Sequence, residues 1–205
     1  MEFYKTSEFW TAAAVFVALF MPLFILWWNS RPKKSKLVIK GSSIVNQDIA
    51  EDENEKQQRR LLNVGRIIIS NEGKYIAKSV EAFIETIEWD DKEREDFFPM
   101  PLHWTHGQLN EKGPTKRDIY PNQTVFLDFF NHIFDSYYVG DPVLFAVAAG
   151  LEVDNLSKMN IGTSFVKIKM YQESGQVLTF FVKAEWDGKT VPKISVISKE
   201  IIKKQ

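Results

Sequence analysis

Cysteine is absent from all 205 residues. Its absence excludes disulfides, thiolate metal ligands and a cysteine nucleophile, and leaves the redox compartment open. An excess of either charge is missing too. The chain has 26 Lys and Arg against 27 Asp and Glu, for a formal charge of -1, so no broad basic surface exists to take nucleic acid. There is no G-x-S-x-G elbow, no HExxH helix and no serine beside a plausible base. Phosphate-cradling loops are also missing: Gly65, Gly73 and Gly107 stand alone in what read as turn contexts. These absences close most routes to catalysis, so a non-catalytic chain without a cofactor is expected.

What the sequence does contain begins with an apolar run. Phe9 to Trp28, FWTAAAVFVALFMPLFILWW, is twenty residues without a charge. A helix of that length reaches about 30 Å, the thickness of a bilayer's hydrocarbon core. Lipid offers the backbone no hydrogen-bond partners, so such a segment must satisfy its own amides as a helix. Trp10 at one end and Trp27 and Trp28 at the other stand where amphipathic rings prefer the headgroup level. Pro22 is expected to bend the span. A cleaved secretory signal would need a basic start and small residues before the cut. Instead Glu2, Lys5 and Glu8 precede the run and WWNSRP follows it. A globular core helix would keep a polar stripe, and none is present. The reading is a tail over 1–8 and a transmembrane helix over 9–29, with the lipid bilayer as first partner.

Basic residues are uneven across that span. Lys5 stands alone before it, whereas Arg31, Lys33, Lys34, Lys36 and Lys40 follow. Positively charged flanks tend to stay in the cytoplasm, so a single-pass protein with a cytoplasmic C-terminal domain is expected. Arg31, Lys33 and Lys34 are also placed to touch anionic headgroups, at about 1 kcal/mol per basic residue.

About 170 residues remain beyond the anchor, enough for one domain with a real core. Sixteen Phe, six Trp and six Tyr favour strands, because aromatic residues suit a pleated surface. Residues 30–59 read as a basic flank and polar linker. Within it Lys36–Lys40 (KLVIK) suits a short strand, and GSSIVNQDIAEDENEKQQ suits a linker or a short surface helix with solvated carboxylates. From Arg60 the run RLLNVGRIIIS ends at Ser70-Asn71-Glu72-Gly73, where Asn and Gly are expected to supply a positive φ. KYIAKSVEAFIETIEW then alternates with the period of a half-buried strand. The two runs predict a β-hairpin.

Further strands are expected over 124–130, 143–153 (Phe145, Val147, Ala149 and Leu151 on one face), 163–171, 176–186 and 191–197. Seven to nine strands separated by turn signals, without βαβ alternation, predict an antiparallel sandwich over 60–205. Ile68, Val80, Ile84, Val166, Ile168, Phe180 and Val182 form its expected core.

The string Val64, Ile68, Asn71, Gly73, Ala77, Val80, Ala82, Ile84 resembles the "V-x-N-x-G-x-x-x-A-x-x-V-x-V" hairpin of prokaryotic immunoglobulin-like β-sandwich modules grouped with the CARDB adhesion-related domains. Asp118-Ile119-Tyr120-Pro121, followed by Val125-Phe126-Leu127-Asp128, is similar to their next element, a proline turn leading into a strand. The resemblance implies a mainly β, immunoglobulin-like fold and no particular activity. Two features depart from it. Such modules commonly lie outside the cell, and the charged insertion from Asp90 to Asp96 is foreign to the pattern.

That insertion opens the most irregular stretch, WDDKEREDFFPMPLHWTHGQLNEKGPTKRD, punctuated by Pro99, Pro101, Gly107, Gly113 and Pro114. Its carboxylates alternate with Lys92 and Arg94, which reads as a solvated loop rather than an acid-base pair. Phe97, Phe98, Met100, Leu102 and Trp104 imply that part of it packs. Loops on a rigid scaffold commonly carry recognition, and Trp commonly anchors interfaces, so His103, Trp104 and His106 are the candidate contact surface for a protein partner. The alternative is that Trp104 packs the loop down. A second function class is a metal-dependent enzyme or metal carrier, in which His103, His106 and His132 share zinc or copper with Asp118 or Asp128. Against it, residues three apart in an extended segment point to opposite faces.

The lack of native cysteine makes the orientation directly testable. A Gln205→Cys chain is expected to resist a membrane-impermeant thiol reagent in intact cells and to react after lysis. Ready labelling of intact cells would place the C-terminal domain on the other side.

Overall fold

A computed structural model of the chain describes residues 7–30, 34–49, 60–95, 97–105, 114–135, 143–147 and 157–197. The chain divides into two units, Met1–Lys33 and Lys34–Gln205. In the first, a single helix α1 (Ser7–Ser30, 24 residues) runs through Pro22. The stretch Ser7–Trp28, with a mean hydropathy of 2.3, is long and apolar enough to cross a membrane. Trp10, Trp27 and Trp28 are exposed along it. Arg31 and Lys33 lie outside the described residues, and Lys34 opens the second unit.

Among the described residues the second unit consists of antiparallel strands: β1 (Leu37–Ile49), β2 (Arg60–Asn71), β3 (Ala77–Trp89), β4 (Lys92–Glu93), β5 (Met100–Pro101), β6 (Lys116–Ile119), β7 (Thr124–Asp135), β8 (Leu144–Phe145), β9 (Gly162–Tyr171), β10 (Val177–Trp186) and β11 (Lys193–Ile197). They form two sheets. One has the order β1-β2-β7-β8; the other runs β11-β10-β9-β3-β4, with β5 and β6 also pairing to β3.

Strand β1 corrects the expected linker. It continues to Ile49, pairing with β2 out to Arg60, after a register shift between Ile39 and Gly41 that Gly41 accommodates at a φ of 145°. The polar composition of its second half reflects an edge strand. The folded unit therefore starts near Lys34 and not at residue 60.

The expected hairpin between β2 and β3 does not form. Strand β2 pairs with β1 and β7, while β3 pairs with β9 in the other sheet. The cause is Asn71, which is fully buried. Its side-chain carbonyl accepts from the Lys36 amide at 3.2 Å and the Gly73 amide at 2.9 Å, and its NH2 donates to the carbonyls of Tyr75 at 2.7 Å and Ile119 at 2.9 Å. Those bonds turn the chain out of one sheet and into the next. Neither Asn71 nor Gly73 has a positive φ. Glycine is needed at 73 for another reason, since a Cβ there would lie 2.5 Å from the Lys36 nitrogen.

The core lies between the sheets. Val80, Ala82 and Ile84 of β3, Val166 and Ile168 of β9, and Phe180 and Val182 of β10 meet Ile67 and Ile69 of β2 and Leu127, Phe129 and Phe130 of β7. Ile68 is the exception to the expected core. It is only half-buried, whereas Ile67 and Ile69 have no exposure. Three consecutive isoleucines carry no alternation, so a period of two cannot choose which of them turns inward.

Two bulges also shift the parity of facing residues. Gly65 pairs with Phe130 and Arg66 with Asp128, so Phe129 is an extra residue and both phenylalanines face the core. The Phe130 ring fills the place of a side chain at position 65, where a Cβ would lie 2.1 Å from a ring carbon. Gly65 is thus a mid-strand residue and not a turn residue. In β3 the register shifts between Ile84 and Thr86, moving the inward positions from Ile84 to Ile87.

The start of the charged insertion is a tight hairpin. Trp89 pairs with Lys92, and Asp90 and Asp91 between them have φ of 49° and 60°, the left-handed pair that a two-residue turn demands. Of the strand expected over 143–153, Leu144–Phe145 and a bridge at Val147 are seen, and Ala149 and Leu151 lie outside the described residues.

The parity of β2 is testable in the full-length protein in detergent. Ile67→Ala is expected to destabilise by about 2–5 kcal/mol and Ile68→Ala by far less, while Gly65→Ala costs about 1–3 kcal/mol by overpacking. Denaturant midpoints that fall equally for Ile67→Ala and Ile68→Ala would contradict the assignment.

Candidate functional site

The stretch expected to be irregular and packed only in part proves to be a seam between the sheets. Pro101 and Met100 pair with Phe83 and Ile84 of β3, and the Leu102 amide donates to the Ala82 carbonyl at 2.8 Å. Two residues later the same segment bonds to the other sheet. Trp104 bridges Leu127, the Thr105 amide donates to Phe126 at 2.9 Å, and the Asp128 amide donates to the His103 carbonyl at 3.0 Å. Prolines keep the segment extended, and apolar residues at 100, 102 and 104 face the core.

Trp104 accordingly has 0% exposure, and its indole N–H donates to the Val80 carbonyl at 3.0 Å. An indole with both its ring and its N–H satisfied inside the domain is a packing element. Trp104 therefore leaves the candidate contact surface. His103 is buried beside it, its amide donating to the Ala146 carbonyl at 3.2 Å. His106 lies outside the described residues. His132 is buried in β7 with its ring 6.3 Å from that of Trp186.

The carboxylates considered as metal partners are engaged elsewhere. Asp118 accepts from the Ser79 amide at 2.8 Å, and Asp128 accepts from Arg66 Nε at 3.0 Å and Thr105 Oγ1 at 2.6 Å. Among the described residues no group of three His, Asp or Glu side chains is arranged to hold a metal ion.

A surface not among the expected contact residues is the outer face of β3, β9 and β10. Cross-strand pairing sets Phe83 opposite Lys169 and Lys169 opposite Thr179; the next rows are Thr86, Lys167 and Phe181, then Glu88, Phe165 and Lys183. Phe83, Phe165 and Phe181 are each partly exposed, interleaved with lysines. The Phe83 ring meets the Tyr171 ring edge-on, with centroids 5.8 Å apart.

An ion pair braces this face. Lys169 Nζ donates to Glu85 Oε2 at 2.8 Å, and the Tyr171 hydroxyl donates to Glu85 Oε1 at 3.1 Å. Burial acts to raise the Glu85 pKa, but the hydrogen bonds from Lys169 and Tyr171 outweigh it and hold the carboxyl below its ordinary value. The bond to Glu85 holds Lys169 above its ordinary value. The face therefore stays charged around neutral pH while presenting three phenyl rings. A signal for it exists in the sequence, since Phe83, Phe165 and Phe181 stand at the outward parity of their strands, where polar residues are the rule.

No protein-family model and no curated protein matches the chain. Among solved structures, the X-ray structure of Northeast Structural Genomics Consortium target SoR45 aligns over 75% of this chain and 83% of its own, at 14% identity and a TM-score of 0.28, a likeness too slight to carry an argument.

The role of Trp104 is separable by stability. Trp104→Ala is expected to lower the unfolding free energy by about 3–5 kcal/mol, seen as a fall in the melting temperature of the full-length protein. An unchanged melting temperature would return Trp104 to the surface.

Proposed function

We propose that this chain is a single-pass membrane protein with a cytoplasmic, immunoglobulin-like module that is non-catalytic and holds a protein partner at the bilayer. Helix α1 supports the anchor. The strand orders support the module: β1-β2-β7 and β3-β9-β10 follow the A-B-E and C-F-G orders of immunoglobulin-type sheets. Strand β8 sits where the D strand would but comes after β7 in the chain, and β11 is an addition. A step from β2 in one sheet to β3 in the other is what B to C requires.

The observation that carries the binding role is the outer face of β3, β9 and β10. Phenyl rings partly exposed on a rigid sheet are pre-organised, so a partner covering them gains apolar burial without ordering a loop. The lysines and Glu85 between the rings give the contact a register. The face takes over the role expected of the loop around Trp104.

The double variant Phe165→Ser, Phe181→Ser tests this reading. Recovery of the crosslinked protein partner from mild detergent is expected to fall at least about tenfold, the loss of a modest hot spot, while the melting temperature stays close to that of the parent. Undiminished recovery with the fold intact would remove this face from the interface.

A further inference from the structure

We propose that the end of the β domain organised by Asn71 is a second membrane-contact surface, seated on anionic lipid headgroups. The inference rests on reading α1 as a membrane span.

Four chain segments meet at this end: the entry at Lys34–Lys36, the turn after β2, the turn before β7 and the β9–β10 turn. The Glu173 amide of that last turn donates to the Lys78 carbonyl at 3.1 Å. The Asn71 NH2 group bonds the carbonyls of Tyr75 and Ile119 together, so Tyr75 and Tyr120 are carried on adjacent, anchored backbones. Their rings are not packed inward. Tyr75 is 44% exposed, Ile76 38% and Tyr120 55%. Tyrosine with an aliphatic neighbour is the chemistry of the bilayer interface, where a ring sits among headgroups and its hydroxyl stays wet.

Charge complements the rings. Lys34, Lys74 and Lys78 are exposed around them. The nearby Glu72 carboxylate is paired with Lys40 and with Lys36, the latter at 3.0 Å; they pull its pKa down to about 2 and offset its charge, and that pairing makes it repel lipid phosphate less than a lone carboxylate. Each basic residue near an anionic surface adds a favourable attraction to it.

Chain length selects the bilayer as the occupant. The domain is entered at this end, and residues 31–33 alone separate Lys34 from Ser30 at the close of α1. Four residue steps reach at most about 14 Å. The bilayer that α1 crosses is thereby tethered to the end that carries the tyrosines and lysines, whereas the Asp187–Thr190 turn lies at the far end of the β9–β10 hairpin.

The test uses the full-length chain in vesicles of phosphatidylcholine, or of phosphatidylcholine mixed with phosphatidylserine. A single cysteine, Tyr120→Cys or Lys189→Cys, carries an environment-sensitive fluorophore, and lipids spin-labelled at the headgroup act as quenchers. The Tyr120→Cys label is expected to be quenched several-fold more than the Lys189→Cys label, and more strongly with phosphatidylserine. Adding Lys74→Gln and Lys78→Gln should remove the phosphatidylserine increment. Equal quenching at the two positions, or a Tyr120→Cys signal indifferent to phosphatidylserine, overturns the inference while the chain remains resistant to alkaline extraction. Release of the chain by alkaline extraction instead overturns the span, and this surface with it.

Discussion

The buried side chain of Asn71 is the constraint on which the rest of the β domain depends. All four of its amide hydrogen-bonding positions are used, two for accepting and two for donating. Its backbone is held as well, donating to Gln123 at 3.1 Å and accepting from Asn122 at 2.7 Å. A buried amide is costly unless satisfied, and a fully satisfied one admits a single arrangement of its partners. One residue thus fixes where β2 ends, where the chain enters the domain and how the turn before β7 is placed. Because β2 ends in this way, the next strand is built into the opposite sheet.

Two seams then join the sheets. On one side residues 100–105 bond first to β3 and then to β7, and Trp104 fills the space between. On the other, β1 lies beside β11, with the Ser42 hydroxyl donating to the Ile194 carbonyl at 3.0 Å. The second seam blunts two strand edges that would otherwise be open to pairing with another chain. With the seams occupied, the outer face of β3, β9 and β10 and the turns around Asn71 both carry exposed or half-exposed aromatic side chains.

Much of this was legible where composition is one-sided. The strands Thr163–Tyr171 and Gln176–Trp186 alternate cleanly, and their inward residues Val166, Ile168, Phe180 and Val182 are core. The pattern failed where both parities are apolar, as at Ile67-Ile68-Ile69, or where a bulge shifts parity, as at Phe129 and Glu85. At Trp104 the sequence left a surface contact and a packed ring as alternatives, because an irregular, proline-rich stretch does not show which it is unless both of its bonding partners are known. Those partners, Val80 and Leu127, lie about twenty residues away on either side, in different sheets. The candidate surface was half legible: phenylalanine at outward positions of β3, β9 and β10 is visible in the sequence, but its gathering onto one face requires the strand order.

The sequence alone determined that the N-terminal helix is long and apolar enough to span a membrane, because twenty uncharged residues in a row need no tertiary partner to be apolar. It also determined the β character of the remainder, since alternation is local. Tertiary structure alone decided that β2 and β3 part company, that Gly65 exists to admit Phe130, and that Trp104 is core. Each of these depends on a contact between residues distant in the chain, whose hydrogen bond or van der Waals volume has no counterpart in any local pattern.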